Sequence, residues 1–359
     1  MKVLFLTDGP QNPAGRFRCE QFFPLLERAG IECHERYAYG RRYNALLASP
    51  FSTAYRTLGR LRRAAWTVAS PGYDLLFFQR TALSVTALPE LLRSSFSTPT
   101  IFDFDDAIYL GPNGTPSAPR MRAFRSAVRR ASWLIAGNAH LADTARHPAK
   151  TTVIPTVVDT TKLSPGPRTE RSTFTIGWMG TSSNFVHLRT VLPELLAFVS
   201  KHAQARLRIV SNQPLAELKQ HPQTEFVPWS EETEADLLRS FDVGLMPLID
   251  SEVARGKCAF KILQYMAVGI PVVASAVGAN INVLSAGDAG HLVPPGGRWT
   301  PALLELIHDQ EIRVKLGNAG RLHVEQFFSR ESVIGTYIEL FRRLIEQRPT
   351  QSARVEHSL

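Results

Sequence analysis

Short apolar runs separated by longer stretches of helical periodicity restrict this chain's fold more than any other property of its 359 residues. In the first half the runs are Val3 to Thr7, Ile31 to His34, YDLLFFQ (73–79), TIFDFDD (100–106), SWLIAG (132–137) and TTVIP (151–155). The pattern restarts at FTIGWMGTSSN (174–184), a strand and turn, and continues through ARLRIVS, TEFVPW, FDVGLMPL, PVVAS and GHLVP. Runs with so little polar alternation suit strands covered on both faces, which are parallel strands joined by helical crossovers. Two doubly wound α/β units are therefore expected. Helical patterns include one carrying Phe17, Phe22, Phe23, Leu25 and Leu26 that stops at Gly30, one from His187 to His202, and two near the end, 300–328 and 330–347. Between the halves lies VVDTTKLSPGPRTERS (157–172), whose Thr, Ser, Pro and charge read as a hinge. The expected division is an N-terminal Rossmann-like domain over 1–160, a linker over 161–172, a second such domain over 173–328, a crossover helix over 329–348 and a disordered tail over 349–359. No repeat with a period of 20 to 50 residues is present.

The segment RGKCAFKILQYMAVGIPVVAS (255–275) places fixed cations, a helix and a buried strand in immediate succession. Arg255, Lys257 and Lys261 bracket the helix start, where unpaired backbone N–H groups and the macrodipole favour phosphate. Three basic groups there suit a diphosphate. Past Gly269, Pro271 cannot continue the helix, and the apolar run that follows is a core strand.

At this segment the chain resembles the GT-B glycosyltransferases, specifically the retaining, family-4-like group that uses nucleotide-sugar donors. The resemblance covers nearly the whole chain, strongest from Gly177 to Gly290 and weakest from Arg36 to Ser70. It implies two Rossmann-like domains facing a central cleft, with a C-terminal helix crossing back to the first domain, where Tyr337, Leu340, Phe341 and Leu344 are suitable anchors. In the wider family a Glu, seven residues, Glu motif precedes AMA-G-PVVA, and its second Glu holds the donor ribose. Aligned on Met266, Gln264 takes that place and Gly256 takes the first, so both carboxylates are missing. The Gln264 amide can still hydrogen-bond ribose hydroxyls.

The resemblance also implies roles by position. For the departing diphosphate they are Lys261, Arg255 and Lys257, with the Gly180-Thr181 turn supplying donors as a strand-to-helix anion nest. Relatives carry an Arg and a Lys in that loop; here Trp178, Met179 and Asn184 stand in the region, so the charge moves to 255–261. Trp229, in FVPWS, falls where the nucleobase would stack, and Gly244 permits close approach. Gly15, Arg16 and Arg18 follow the first strand and face the cleft in such proteins. On the acceptor side, FDFDDAIYL (102–110) ends an apolar strand in three carboxylates, and buried charge needs a role or a partner. Asp105 or Asp106 would orient the acceptor hydroxyl or steady the sugar's developing positive charge. Asp103-Phe-Asp105 also mimics the DxD metal motif of GT-A transferases, but those chains have one nucleotide-binding unit and this chain has two.

Net charge divides unevenly. Residues 1–150 hold 20 Lys+Arg against 11 Asp+Glu, and 151–359 hold 21 of each, so the whole +9 sits in the first part. Between Arg36 and Gly72 there are seven arginines and no carboxylate, interleaved with Tyr37, Tyr39, Tyr43, Phe51, Tyr55 and Trp66. Such a stretch is either a solvated basic face or a surface for anionic lipid headgroups or a lipid-linked acceptor, with Arg56, Arg60, Arg62 and Arg63 as its candidates. No nucleic-acid recognition motif accompanies it. Cys19, Cys33 and Cys258 lack metal or disulfide spacing, and no apolar stretch reaches the length of a signal peptide or a membrane span. The expectation is a cytoplasmic glycosyltransferase, peripheral at most on the inner face of the membrane. It would use a nucleotide-sugar donor, a glycan or lipid-linked acceptor, and neither cofactor nor metal. A non-catalytic nucleotide- or glycan-binding protein and a sugar-nucleotide 2-epimerase are the alternatives on the same fold. The epimerase needs acid and base carboxylates in both domains and no basic acceptor face.

Overall fold

The computed structural model describes residues 1–10, 12–40, 50–93, 97–167, 172–219 and 221–347. The chain divides into two units, one made of Met1–Thr156 with the residues from Val333 onward, the other of Val157–Ser332. Residues 168–171, in the expected linker, and the expected tail from 349 lie outside the described residues, as do Arg41, Arg42 and Tyr43.

The first unit is a six-stranded parallel sheet of β1 (Lys2–Thr7), β2 (Glu32–Tyr37), β3 (Leu75–Gln79), β4 (Thr100–Phe104), β5 (Trp133–Ala136) and β6 (Thr151–Val153), ordered β2-β1-β3-β4-β5-β6. β3 and β4 are buried at every residue, as continuous apolar runs require. The order reverses between β1 and β3, so the crevice above their carboxyl ends is the ligand position of such a sheet. The helix Arg330–Glu346 returns the chain to this unit: Tyr337 packs against Phe22 at 4.8 Å between ring centroids, and Phe341 against Phe5 and Phe77 at 6.3 and 6.2 Å. Leu340 and Leu344 are buried with them.

The second unit repeats the theme with β7 (Phe174–Met179), β8 (Ala205–Ser211), β9 (Thr224–Pro228), β10 (Val243–Met246), β11 (Val272–Ser275) and β12 (Gly290–Val293), ordered β12-β11-β10-β7-β8-β9. All pairs are parallel, and the order reverses between β7 and β10. One face is covered by Trp178, Phe185, Leu195 and Phe198, the other by Tyr265, Met266 and their neighbours. Tyr265 ties the two switch-point strands together, its hydroxyl accepting from Met179 N at 3.0 Å and donating to Leu245 O at 3.3 Å.

Three helical expectations break where local chemistry interrupts them. The pattern before Gly30 splits into Pro13–Arg18, a 3-10 turn over Glu20–Phe22, and Phe23–Arg28, which restarts at Pro24. The 187–202 pattern is two helices, Phe185–Arg189 and Leu192–Lys201, the second again opened by a proline. The 300–328 pattern divides into Thr300–His308 and Gln310–Phe327 at Asp309, whose carboxylate caps Ile312 N at 2.9 Å.

Candidate active site

In the second unit, side chains from several chain segments meet at the carboxyl ends of β7 and β10. Gly180 leaves β7, and a Cβ built there would lie 2.6 Å from Lys261 Cε and 2.8 Å from the Trp178 ring. The missing side chain is the space through which Lys261 runs, with Nζ 5.9 Å from the Trp178 ring centroid. Thr181 opens the 3-10 turn Ser182–Asn184, and its hydroxyl accepts from Asn184 Nδ2 at 2.9 Å. Ser182 N donates to Asn212 Oδ1 at 2.8 Å, fixing the turn to the end of β8. Lys257 Nζ reaches Asn184 Oδ1 at 3.3 Å, so both lysines converge on the β7 turn. His187, absent from the sequence expectations, completes the group: its Nδ1 accepts from Ile249 N, just past β10, at 3.2 Å. Burial, then Lys257 and Lys261, push the His187 imidazole down to about 4.

The third expected cation stands apart. Arg255 closes the short helix Glu252–Arg255 on the surface, and Asp250 takes it in a bidentate pair at 2.8 and 2.9 Å, offsetting its charge. Of the three cations expected together, Lys257 and Lys261 meet at the β7 turn while Arg255 is paired on the surface. Gln264, on the helix Phe260–Ala267, is 4% exposed and its side-chain amide bonds no described residue. Gly244 serves packing, because a Cβ there would fall 2.3 Å from the Tyr265 ring. Trp229 follows β9, two strands or about 10 Å from β7. Its indole N–H is held by Glu234 at 3.0 Å, with the ring half-exposed. A cavity of about 330 Å³ opens at the opposite edge, beside Phe174, Asp242 and Pro271. That edge carries the amino ends of the strands, where doubly wound sheets do not bind ligands.

In the first unit, the three carboxylates that end β4 all have arginine partners. Arg18 is buried inside the unit, a correction to the cleft-facing position that the resemblance implied. Its guanidinium pairs with Asp103 and donates to Ile154 O at 2.8 Å. Burial opposes that charge most, but Asp103 together with Tyr337 and Asp105 outweighs it and raises the Arg18 guanidinium above its ordinary value. Arg80 follows β3 in a left-handed conformation, φ 66°, and grips Asp105 from Nε and Nη2 at 3.0 and 2.8 Å and Asp106 at 3.0 Å. Burial works to raise the Asp105 carboxyl, but Arg80 and Arg18 overcome it and hold it below the usual carboxylate range. Asp106 is the more exposed of the pair. Gly15 lies buried in the helix Pro13–Arg18, and Arg16 stacks on Phe17 at 5.0 Å. Glu35, near this helix, is pushed up to about 7 by burial, against a hydrogen bond from Thr7. Among the described residues no cluster of three or more His, Cys, Asp or Glu could hold a metal ion.

Residues 173–309 match the family model described as Glycosyl transferases group 1. The whole fold is similar to Anabaena Alr3699/HepE, solved with UDP and glucose, at 15% identity over 95% of this chain and 99% of that one, TM-score 0.64. It is also similar to sucrose-phosphate synthase from Thermosynechococcus elongatus, at 15% identity over 96% and 99%, TM-score 0.68. A third match is AviGT4, a glycosyltransferase involved in avilamycin A biosynthesis, at 16% identity over 96% and 98%, TM-score 0.62. No curated protein matches the chain. Residues 173–309 thus form a domain of the glycosyl transferases group 1 type, and the chain as a whole has the GT-B fold.

Within the basic stretch of the first unit, the helix Ser52–Val68 is built inside out. Arg63 is 2% exposed and points under β1, bonding Asp8, Gln79 O, Leu6 O at 3.0 Å and Arg80 O at 3.1 Å. It caps strand-end carbonyls, so it leaves the surface set, a correction to the sequence expectation. Arg62 donates to Ala38 O at 2.8 Å and shares the Trp66 ring with Arg36. Arg56 is exposed and Arg60 half-buried. The outward face instead carries Phe51, Leu58 and Leu61, at helical spacing, and Leu88, Leu91 and Leu92 are exposed on the helix Leu88–Arg93 that packs beside it. Among the described residues no helix is long and apolar enough to cross a membrane.

Proposed function

We propose that this protein moves a sugar from a nucleoside diphosphate sugar to a glycan or lipid-linked acceptor, with retention and without a metal ion, in bacterial polysaccharide or glycolipid synthesis on the cytoplasmic side of the membrane. The observation that carries this reading is the convergence of Lys257 and Lys261 on the Gly180–Asn184 turn at the β7/β10 switch point. Two cations beside a tight turn fit a diphosphate, and their charge would stabilise it as it leaves. The glycosidic bond from C1 to the diphosphate oxygen breaks and a bond from C1 to the acceptor oxygen forms on the same face. The acceptor proton passes to the departing phosphate. Gln264, whose side-chain amide bonds no described residue, suits the ribose hydroxyls, and the exposed face of Trp229 suits a base. Arg255, paired with Asp250, would contribute at the rim. Asp106, tethered through Arg80 and open to solvent, suits the acceptor hydroxyl, with Asp105 setting its position.

The test is a thermal-shift screen with UDP, GDP, ADP and dTDP, followed by hydrolysis of the matching nucleotide sugar. A ligand bound only by the native state raises the melting temperature with its occupancy. UDP comes first, since HepE is recorded with UDP and glucose. Binding without hydrolysis or transfer would favour the non-catalytic alternative, and no stabilisation by any nucleotide would refute the donor assignment.

A membrane contact belongs to the same reading. The apolar stripe Phe51, Leu58 and Leu61, continued by Leu88 and Leu92 and flanked by Arg56, Arg60 and Arg62, suits an anionic headgroup boundary, where apolar burial and basic charge act together.

A further inference from the structure

Among the groups at the β7/β10 edge, His187 has no role in the donor reading above. It is nine-tenths buried, on the helix Phe185–Arg189 that follows the Gly180–Asn184 turn. Its Nδ1 faces the backbone N–H of Ile249, and a backbone N–H can only donate. Nδ1 must therefore be the acceptor, and the ring proton of the neutral imidazole must sit on Nε2. Protonating Nδ1 would set two N–H groups against each other. Nε2 makes no hydrogen bond to any described residue and is not closed off from solvent, so its N–H stays open to an acceptor from outside the protein. The surrounding positive charge comes from Lys257, on Asn184 three residues earlier, and Lys261, against Gly180.

We infer that His187 is a further ligand-contacting residue, a neutral imidazole whose Nε2–H donates to a diphosphate oxygen while Ile249 N–H locks its tautomer. The inference rests on the donor-site reading and deepens it. A neutral donor beside two lysines gives direction without a third full charge, so product diphosphate is oriented but not trapped. It also links ligand to the loop after β10, because the ring that touches phosphate is the ring that anchors Ile249.

Two amides separate the two ring nitrogens. His187→Asn places a carbonyl near Nδ1 and keeps the Ile249 acceptor while deleting the Nε2 donor. His187→Gln reaches the Nε2 position with an amide N–H and abandons Ile249. Calorimetric titration of the full chain with the diphosphate that stabilises it best, and with inorganic pyrophosphate, should show His187→Asn melting close to wild type but binding both about tenfold or more weakly, the range for one hydrogen bond to a charged group. His187→Gln should bind within a few-fold of wild type despite melting lower. Wild-type affinity in His187→Asn would overturn the inference and leave the donor assignment standing, as would binding losses that track melting temperature in both variants. A wild-type protein that binds neither ligand would overturn the donor assignment and this inference with it.

Discussion

Replacing Gly180 by Ala tests whether the turn after β7 matters chiefly by making room for Lys261. The new methyl would sit 2.6 Å from Lys261 Cε, whereas carbon atoms in contact keep about 3.5 to 4 Å, so the side chain must retreat by about 1 Å. It would also press on the Trp178 ring at 2.8 Å, and that ring is fully buried, so overpacking of about 1 to 3 kcal/mol and a melting temperature lower by several degrees are expected. A misplacement of this size can cost a reaction about 10²-fold. Removing the ammonium altogether, as Lys261→Ala, should cost about 10² to 10³, the range for one lost stabiliser of developing charge. The decisive experiment is the double-mutant cycle, read as turnover of the nucleotide sugar identified in the thermal-shift screen. If Gly180 acts through Lys261, then Gly180→Ala should add little to Lys261→Ala, with a coupling energy near the whole single-mutant effect. Simple additivity, or full activity in Gly180→Ala, would refute the reasoning, and an unchanged rate in folded Lys261→Ala would remove the phosphate role.

Arg63→Ala should destabilise the protein by about 3 to 5 kcal/mol in chemical denaturation, because it strands Asp8 and three strand-end carbonyls, and a near-neutral change would return Arg63 to the surface. Tyr265→Phe should cost about 1 to 3 kcal/mol, since Met179 N–H is left buried without an acceptor; a melting temperature equal to wild type would show that the tie across the switch point is not needed. The folded-state value of His187, about 4, lies below its ordinary 6.5. Its contribution to stability is therefore full above about 6.5 and is lost as pH falls toward 4. Glu35, raised to about 7, acts oppositely, its contribution present below about 4.5 and lost as pH rises through 7. Unfolding curves from pH 7 to 4.5 should fall less steeply for His187→Asn than for wild type, and equal slopes would contradict the assignment. Co-sedimentation with phosphatidylglycerol vesicles should weaken at high salt and in a Phe51, Leu58, Leu61 to Ser variant, and undiminished binding of that variant would exclude this face.

The sheets were legible because their strands are apolar at nearly every residue, a pattern that needs no tertiary information. Lys261 and Gly180 were legible for a related reason: a helix start and a strand end each mark their position in the sequence. Arg63 was not, because a basic run does not say which residues turn inward, and what draws Arg63 in is Asp8, 55 residues back, together with a set of backbone carbonyls. His187 left no signal either, since a lone histidine in a helical pattern gains meaning only from Ile249, 62 residues on. The carboxylates of β4 were rightly marked as needing partners, but Arg18 lies 85 residues back and Arg80 25 back, distances at which one sequence cannot pair charges.

The return of the helix Arg330–Glu346 to the first unit has a consequence for how the chain is made. A ribosome delivers Phe5, Phe22 and Phe77 early, yet the rings that cover them, Tyr337 and Phe341, emerge after the whole second unit. The unit synthesised first is thus the one completed last, and its aromatic core must wait uncovered while residues 157–332 form a self-contained sheet. The first unit is therefore completed only after the second has been synthesised, and an exposed aromatic face during that interval favours aggregation.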